Sequence, residues 1–413
     1  MGKSNDILKG QPLPLQPADY NPYTTICSGC YTLMRRVSDR DNEDSAIKIS
    51  NIQVSSENGQ NILSADCDAF KLYYKFPDFI KLEVRADPFV AACLVPSMAM
   101  NSNIEIPADV PVSPALLRNI DYLQDIFSKW SGHFKRDFHK IGIEGGTESP
   151  AQNSLSSTMS FFSGGIDGAY TFLKNADEID FLLFAKGIDM QLSSDDLFNQ
   201  ALEKNTGYLE KRGKQIFPIE TNVRFLGHEY GLSWPLCFGG GLASIALASG
   251  VQKCFIASGF TYASKDYEGS NFITDSLWRN EATEIVHDGA EADRNDKLNF
   301  IASDPDLMNI LRVCWQDKSY NCGECEKCLR TMTNLRALGL STPTFPELTD
   351  ELVRNKLSKL KLYKERDLEF IQGSLRQARQ RDDKVLIKAL SKIQRNYDLR
   401  FVLRTIRQFL RSL

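Results

Sequence analysis

The chain has 413 residues, of which 42% are hydrophobic and 25% are charged, as in an ordinary globular protein. Its formal net charge of -4 argues against a wholly basic nucleic-acid binder. The sequence contains no apolar run long enough to span a membrane, and its polar first residues lack the apolar stretch of a signal peptide, so we expect a cytoplasmic protein.

The first part of the chain, residues 1–150, is predicted to form an α+β accessory domain. Alternating apolar residues in places within 46–90 favour short antiparallel strands, and apolar residues at helical spacing predict a helix within 116–130. The segment 145–157 is rich in Gly, Ser and Thr, which is typical of a linker. No residue between 46 and 150 points to a particular chemistry.

Residues 151–340 alternate between strand and helix patterns, which predicts an α/β fold with a Rossmann-like parallel sheet. The predicted strands are 158–162, 179–185, 215–219, 253–258 and 284–287. Among the helices predicted between them are 195–212 and 242–249, and the second is expected to be opened by Gly239-Gly240-Gly241. Since ligands bind at the carboxyl ends of parallel strands, residues that follow strands, such as Gly187, Glu220 and Gly259, are expected to converge.

A glycine turn follows the first of these strands, in the sequence Ser163-Gly164-Gly165-Ile166-Asp167. Adjacent glycines let backbone N–H groups converge without a Cβ between them, and the next helix adds its positive amino-terminal end. Such a nest binds phosphate or pyrophosphate, although an ordinary strand-to-helix turn has the same features. No Walker A sequence is present, which disfavours kinase-like transfer of a γ-phosphate.

Four of the ten cysteines follow the pattern C-x7-C-x2-C-x2-C. They are Cys314, Cys322, Cys325 and Cys328. Four thiolates suit a tetrahedral Zn2+ ion, which would be structural because a closed sulfur shell leaves no position for an activated water. Four core cysteines without metal are the alternative. The separate C-x-x-C pair Cys27 and Cys30 has no second pair nearby, so reduced thiols and redox or persulfide chemistry both stay open.

Residues 341–413 are predicted to form a basic helical region. The stretch 351–413 contains 17 Lys and Arg against 7 Asp and Glu, so the rest of the chain is acidic. This composition is typical of a region that contacts RNA or an acidic partner protein, and equally of a solvated helix face packed on the core.

Ser163-Gly164-Gly165-Ile166-Asp167 resembles the PP-loop of the ATP pyrophosphatase superfamily, and the four-cysteine segment with Arg330 behind it resembles that of 7-cyano-7-deazaguanine synthases (QueC-like enzymes). The resemblance covers roughly residues 156–335, with the two motifs in the expected order. It implies the fold of the adenine nucleotide alpha hydrolases and cleavage of ATP between the α- and β-phosphates. Such enzymes adenylate a carboxylate or amide oxygen and release pyrophosphate, and a nitrogen nucleophile then displaces AMP.

The resemblance also implies roles for residues by position. Asp167 and Lys297 would be catalytic, with Asp167 also near Mg2+, and the four clustered cysteines would hold Zn2+. The residues that would bind ATP are Ser163, Gly164, Gly165, Asp167 and Gly168 at the pyrophosphate, with Phe184 and Gly187 beside the adenine. Gly168 departs from the family, which usually has Ser or Thr there, and Gly239-Gly240-Gly241 stands where the deazaguanine enzymes have Gly-Arg-Asn.

The expected function is therefore that of an ATP-dependent, AMP-forming carbon–nitrogen ligase. Its acid substrate would be a deazapurine or a protein-linked carboxylate, as the resemblance to QueC-like proteins of antiviral defence systems allows, and a homodimer stays open. One alternative is a tRNA-modifying PP-loop enzyme that uses the basic tail together with Cys27 and Cys30. Another is an ATP-binding interaction module without turnover. His287 could supply a general base, or it could be a histidine satisfied by hydrogen bonds.

Overall fold

The computed structural model describes residues 46–412, apart from 265–266, 317 and 363–364, and apart from the side chains of 366, 404–405 and 407–412. Cys27 and Cys30 therefore lie outside the described residues. The strands are β1 Ala46–Glu57, β2 Gln60–Cys67, β3 Phe70–Pro77, β4 Asn103–Val112, β5 Ile143–Glu148, β6 Leu155–Phe161, β7 Phe181–Lys186, β8 Gln215–Thr221, β9 Val251–Ala257 and β10 Glu284–Asp288. The helices are α1 Asp87–Met100, α2 Pro114–Phe134, α3 Ile166–Lys174, α4 Asp195–Glu210, α5 Val223–Glu229, α6 Trp234–Ser249, α7 Arg294–Ile301, α8 Pro305–Met308, α9 Glu326–Leu338, α10 Asp350–Asn355, α11 Glu365–Gln380 and α12 Lys384–Ser412, with short 3-10 turns at Asp275–Trp278 and Leu357–Lys359.

One sheet contains these ten strands, in the order β10-β9-β6-β7-β8-β3-β2-β1-β4-β5. The half from β10 to β8 is parallel throughout. In the other half, β1, β2 and β3 are antiparallel neighbours, and β4 and β5 continue the sheet in parallel beyond β1. The prediction of an α/β fold is confirmed at this level: a mostly parallel sheet is flanked by helices.

The two halves of the sheet meet where β3 pairs with β8 in antiparallel fashion, with Tyr74 opposite Thr221. Asn222, directly after β8, continues this pairing with its side chain. Its Oδ1 accepts a hydrogen bond from the backbone N–H of Tyr73 at 3.0 Å, and its Nδ2 donates to the carbonyl oxygen of Lys71 at 2.8 Å. Strands from residues 1–150 and from residues 151–340 are thus hydrogen-bonded into one sheet.

Buried apolar residues form one cluster on each face of the sheet. In β7, Leu183 belongs to the cluster that contains α1, α2 and α6, whereas Leu182 and Phe184 belong to the cluster of α3, α4, α7, α9, α11 and the first part of α12. A strand buried on both faces is apolar at successive positions, which is why β7 could be predicted as a continuous apolar run. None of the described helices is both long and apolar enough to cross a membrane.

The prediction that three glycines open a helix at residue 242 is wrong, because α6 already begins at Trp234 and contains them. A Cβ at Gly239 would lie 2.0 Å from the carbonyl oxygen of Gly269, and a Cβ at Gly240 would lie 2.5 Å from that of Ala91 in α1. These glycines therefore let α6 pack closely against α1 and against the loop that precedes β10. Close packing outweighs the weak helix propensity of glycine here.

The segment 145–157, predicted as a linker, is partly strand in the structure, because β5 extends to Glu148 and β6 begins at Leu155. Gly145 has a φ of +78°, and a Cβ there would lie 2.0 Å from the carbonyl oxygen of Ile106 in β4. Glycine is needed at this position for close approach of two paired strands, rather than for chain flexibility.

The connection between β9 and β10 is fastened to α2. Tyr267 stacks on Trp130 of α2, with ring centroids 4.6 Å apart. The Glu281 carboxylate accepts hydrogen bonds from the Ser113 hydroxyl at 2.6 Å and from the Ala115 backbone N–H at 2.9 Å, at the amino end of α2. A carboxylate is stabilised at this end of a helix. Through α2, the region before residue 150 thus positions the connection between β9 and β10.

Candidate functional site

The glycine turn lies between the carboxyl end of β6 and the amino end of α3. Gly164 has a φ of +78°, a backbone conformation that favours glycine, and its carbonyl oxygen accepts a hydrogen bond from the Arg312 N–H at 2.9 Å. Gly165, the N-cap residue of α3, has no side chain with which to cap this helix. The first N–H groups of α3 and its positive dipole end are thus presented at the turn.

Asp167, in the first turn of α3, is paired with two cations from α7. Arg294 Nη1 donates to Asp167 Oδ2 at 2.7 Å, and Lys297 Nζ lies 3.4 Å from Asp167 Oδ1. Lys297 Nζ also donates to the carbonyl oxygen of Ser258, directly after β9, at 2.6 Å, and its side chain is only 2% exposed. The structure therefore brings together Asp167 and Lys297, the two residues expected to be catalytic.

The charges around this pair favour an anionic ligand. Burial opposes ionisation of Asp167, but Arg294 and Lys297 outweigh it and hold the pKa of this carboxyl below its ordinary value. Burial lowers the pKa of Arg294, and the nearby positive charge of Arg330 acts in the same direction. Glu326 pairs with Arg330 at 3.3 Å. Three cationic side chains thus face two carboxylates, and the amino end of α3 adds to the positive potential.

A buried amide lies against the turn. A Cβ at Gly164 would lie 3.0 Å from Asn205 Oδ1 of α4 and 3.3 Å from the carbonyl oxygen of Ile310. Asn205 is fully buried, and its two amide atoms have no hydrogen-bond partner among the residues that the structure describes. Buried polar atoms are normally paired, so such an amide beside a glycine turn fits a site that gains partners on binding.

The glycine at position 168 has a packing reason. A Cβ there would lie 3.1 Å from the carbonyl oxygen of Phe161, at the end of β6, which is tighter than ordinary contact. A serine or threonine, as the PP-loop resemblance leads us to expect, would crowd β6. The close approach of α3 to β6 thus accounts for glycine at this position.

Phe184 and Gly187, expected beside the adenine, occupy different environments. The Phe184 ring is 1% exposed and stacks on Phe198 of α4, with centroids 4.5 Å apart, so it is part of the core. Gly187 follows β7 with a φ of +93°, and a Cβ there would lie 1.9 Å from the carbonyl oxygen of Thr221, the last residue of β8. Phe184 is therefore a core residue, whereas Gly187 lies where the ends of β7 and β8 approach each other closely.

Replacing Gly187 by alanine is expected to lower the free energy of unfolding by at least about 3 kcal/mol, because the new Cβ would overlap the Thr221 carbonyl. Gly213 provides a matched control, because its φ is +66° but nothing lies within 4 Å of a Cβ built there. Gly213→Ala should cost only about 1 kcal/mol. Urea unfolding of both variants measures the difference, and equal losses would contradict the close contact.

The four clustered cysteines lie together at the amino end of α9. The Cys314 and Cys325 sulfurs are 4.0 Å apart, those of Cys322 and Cys328 are 3.9 Å apart, and all four lie within 4.8 Å of one another. The edge of a tetrahedral zinc–thiolate site is about 3.8 Å, from zinc–sulfur bonds of about 2.3 Å. The sulfurs also accept backbone N–H groups, such as that of Cys325 to Cys322 Sγ at 3.2 Å. This set of thiols could hold a metal ion.

The cysteine cluster is connected to the glycine turn through a short stretch of chain. Arg312, which donates its backbone N–H to Gly164, comes two residues before Cys314. On the other side, Cys325 is the N-cap residue of α9, and its sulfur accepts the N–H of Cys328 at 3.4 Å. A metal that fixes these cysteines would also fix the chain beside the turn and the start of α9.

Two weaker candidates do not join this constellation. His287 Nδ1 lies 2.7 Å from Asp275 Oδ2, and His287 shares its face of β10 with Ile285, whose cluster contains α6 rather than α7. Glu220 binds residues of β3 at the junction of the two halves: it accepts from the Tyr73 hydroxyl and pairs with Lys75, both at 3.0 Å. These contacts are sufficient to explain both residues as structural.

Arg294 and Arg312 are among the residues of the site that were missed in the sequence. Arg294 stands three positions before Lys297, a spacing that puts both side chains on one face of a helix, and this signal was available. Arg312 carried no signal, because its place beside Gly164 depends on how the chain returns to the turn after α8.

Comparisons of this chain with protein-family models, with curated proteins and with solved structures find no match. A functional interpretation therefore depends on the geometry of the glycine turn, of the two cations Arg294 and Lys297 (the cation pair) and of the cysteine cluster. The resemblance of the motifs adds to it.

Proposed function

We propose that this protein is an ATP-dependent, AMP-forming ligase of the QueC-like PP-loop type. It would adenylate a carboxylate or amide oxygen of its substrate, release pyrophosphate, and transfer the activated group to nitrogen. The acid would be a deazapurine or a protein-linked carboxylate. On this proposal the strands before residue 150 and the helices after residue 340 are additions to a nucleotide-binding sheet.

One observation carries the proposal: Asp167, in the first turn of a helix that starts at a glycine turn, contacts both Arg294 and Lys297. The amino end of α3, whose N-cap residue is Gly165, offers backbone N–H groups, and the two cations come from a different helix, α7. Hydrogen-bond donors that converge from two helices can contact several oxygens of a polyphosphate at once, which a single charged side chain could not do as well.

The proposed chemistry has two steps. In the first, a substrate oxygen attacks the α-phosphorus of ATP, and the bond from that phosphorus to the oxygen bridging to the β-phosphate breaks. Negative charge develops on the departing pyrophosphate, where the N–H groups of α3 and the cations Arg294 and Lys297 stabilise it. In the second, an amine attacks the acyl carbon and loses a proton, and AMP leaves with the former substrate oxygen.

Two metal ions belong to the proposal. Mg2+ is usually bound by one or two carboxylates together with substrate phosphates, and Asp167 fits that role as an ionised oxygen ligand beside the turn. It would screen phosphate charge. Zn2+ would be held by the four clustered cysteines, whose chemistry and spacing suit it, and would act as a structural ion only.

Product identity tests this function. We expect incubation with ATP, Mg2+, candidate acids and ammonia to release pyrophosphate and AMP. An ATP analogue with a methylene group between the α- and β-phosphates should resist cleavage, whereas the β,γ-methylene analogue should still yield AMP. Release of ADP and phosphate would contradict the proposal.

The alternatives make different predictions in the same assay. A tRNA-modifying enzyme would form AMP only when tRNA is added, and its tRNA binding would weaken steeply with salt. An interaction module would bind ATP without forming any product, an outcome that the missing hydroxyl at Gly168 would help to explain.

A further inference from the structure

A buried amide joins three helices, one of which is α7, the helix that carries Arg294 and Lys297. Asn334 of α9 is fully buried, and its Nδ2 donates to Asn295 Oδ1 of α7 at 2.6 Å and to Ser374 Oγ of α11 at 3.1 Å. Both acceptors are themselves buried. An amide NH2 group has two hydrogens, so Asn334 can satisfy both acceptors at once.

Asn295 stands in the same turn of α7 as the two cations of the site. It directly follows Arg294 and precedes Lys297 by two positions, and both of those side chains contact Asp167. The helix α7 has only eight residues, and helices this short take their stability and orientation from tertiary contacts. The bond from Asn334 to Asn295 is one such contact, and it constrains the rotation of α7.

The C-terminal helix α11 completes this support. A Cβ at Gly373 would lie 2.5 Å from Asn295 Nδ2, so glycine there lets α11 approach α7 closely. Next to it, the Phe370 ring lies 4.2 Å from the Arg330 guanidinium of α9. The contacts of α11 thus reach both the helix with the cation pair and the helix that begins in the cysteine cluster.

We propose that Asn334 is a positioning residue for the polyphosphate end of the site, holding Arg294 and Lys297 toward Asp167 through Asn295. It touches neither ATP nor the reacting atoms. This inference rests on the proposed function, and it adds that the helical C-terminal section takes part in ATP binding through α11.

The test compares ATP with adenosine as ligands, because adenosine lacks the phosphates that the cation pair would contact. Asn334→Leu replaces the amide by an apolar side chain of similar size. We expect this variant to bind ATP with Mg2+ about tenfold more weakly than the unchanged protein, with adenosine affinity unaltered, as measured by calorimetry. Ser374→Ala, which removes one of the two acceptors, should fold readily and weaken ATP binding by a smaller factor of about three.

The matched control is Thr333→Val. Thr333 is the neighbouring buried residue on α9, and its hydroxyl donates only to the Leu329 carbonyl oxygen at 2.7 Å within the same helix. Its replacement should leave both affinities unchanged. A purely structural role for Asn334 would instead lower ATP and adenosine affinity together, or give Thr333→Val the same loss, and either result overturns the inference.

The two levels of the proposal can fail separately. If the unchanged protein binds ATP and both Asn334→Leu and Ser374→Ala bind it equally well, the positioning role is wrong and the proposed function stands. If the unchanged protein does not bind ATP, the proposed function is wrong and the inference fails with it.

Discussion

Replacing Lys297 by methionine is expected to lower the rate of pyrophosphate release by about a hundred- to a thousandfold. Methionine is similar in length and stays apolar in a site where the lysine side chain is 2% exposed, but it cannot donate to Asp167 or to the Ser258 carbonyl oxygen. On the proposed function, the stabilisation of charge on the departing pyrophosphate would then be lost. Release of pyrophosphate from ATP, at saturating acid substrate, measures the effect.

Asp167→Asn is expected to cause a loss of similar size, because it removes the carboxylate that pairs with both cations and would contact Mg2+. Since Asp167 and Lys297 would act as one unit, the double variant should lose little more than either single variant. Additive losses would mean that the two residues act independently of each other.

Lys253→Met is the matched control for these variants. Lys253 also pairs with two carboxylates, Glu178 at 2.6 Å and Glu284 at 3.3 Å, but it lies near the amino end of β9, away from the glycine turn. Its replacement should leave turnover unchanged. Equal losses in Lys253→Met and Lys297→Met would assign the effect to general destabilisation and count against the proposed site.

Removal of the metal is the second change with a large expected effect. Structural zinc sites contribute on the order of 10 kcal/mol, so stripping Zn2+ with a chelator, or replacing Cys328 by serine, should lower the melting temperature by at least about 10 °C. The loss should extend to ATP binding, because the chain that leads into Cys314 bonds Gly164 through Arg312. Metal analysis should find one zinc per chain, and calorimetry with and without chelator should show the shift.

Cys254→Ala provides the comparison for the cysteine variant. Cys254 is fully buried in β9, outside the four-cysteine cluster. It should retain zinc and melt within a few degrees of the unchanged protein, since only one small side chain is trimmed. A protein that is purified without metal and melts at the same temperature with chelator would show that the cluster is a set of packed thiols.

The parallel half of the sheet could be predicted from the sequence because the patterns that indicate its strands are local. The apolar run of β7 and the glycine turn before Ile166 depend on neighbouring residues alone, and the ends of the predicted strands differ from the observed ones by at most three residues. The four-cysteine spacing was likewise sufficient to predict that these thiols lie together.

Features that depend on contacts distant in sequence could not be predicted. The glycines of α6 suggested a helix start, but Gly240, for example, is explained by the approach of Ala91, about 150 positions earlier in the chain. In the same way, Asn334 and Ser374 gave no signal, because their importance arises only where α7, α9 and α11 meet. The pairing of Asp167 with Arg294 across the site belongs to this class as well.

The junction between β3 and β8 has a consequence for any attempt to study the nucleotide-binding half alone. A fragment starting near residue 151 would leave β8 as an edge strand, with backbone groups that now pair with β3 open to other chains. It would also uncover the surface of α6 that α1 protects at Gly240. Such a fragment should self-associate rather than fold as a monomer. By covering the edge of β8, the half of the sheet that contains β3 therefore protects the protein against aggregation.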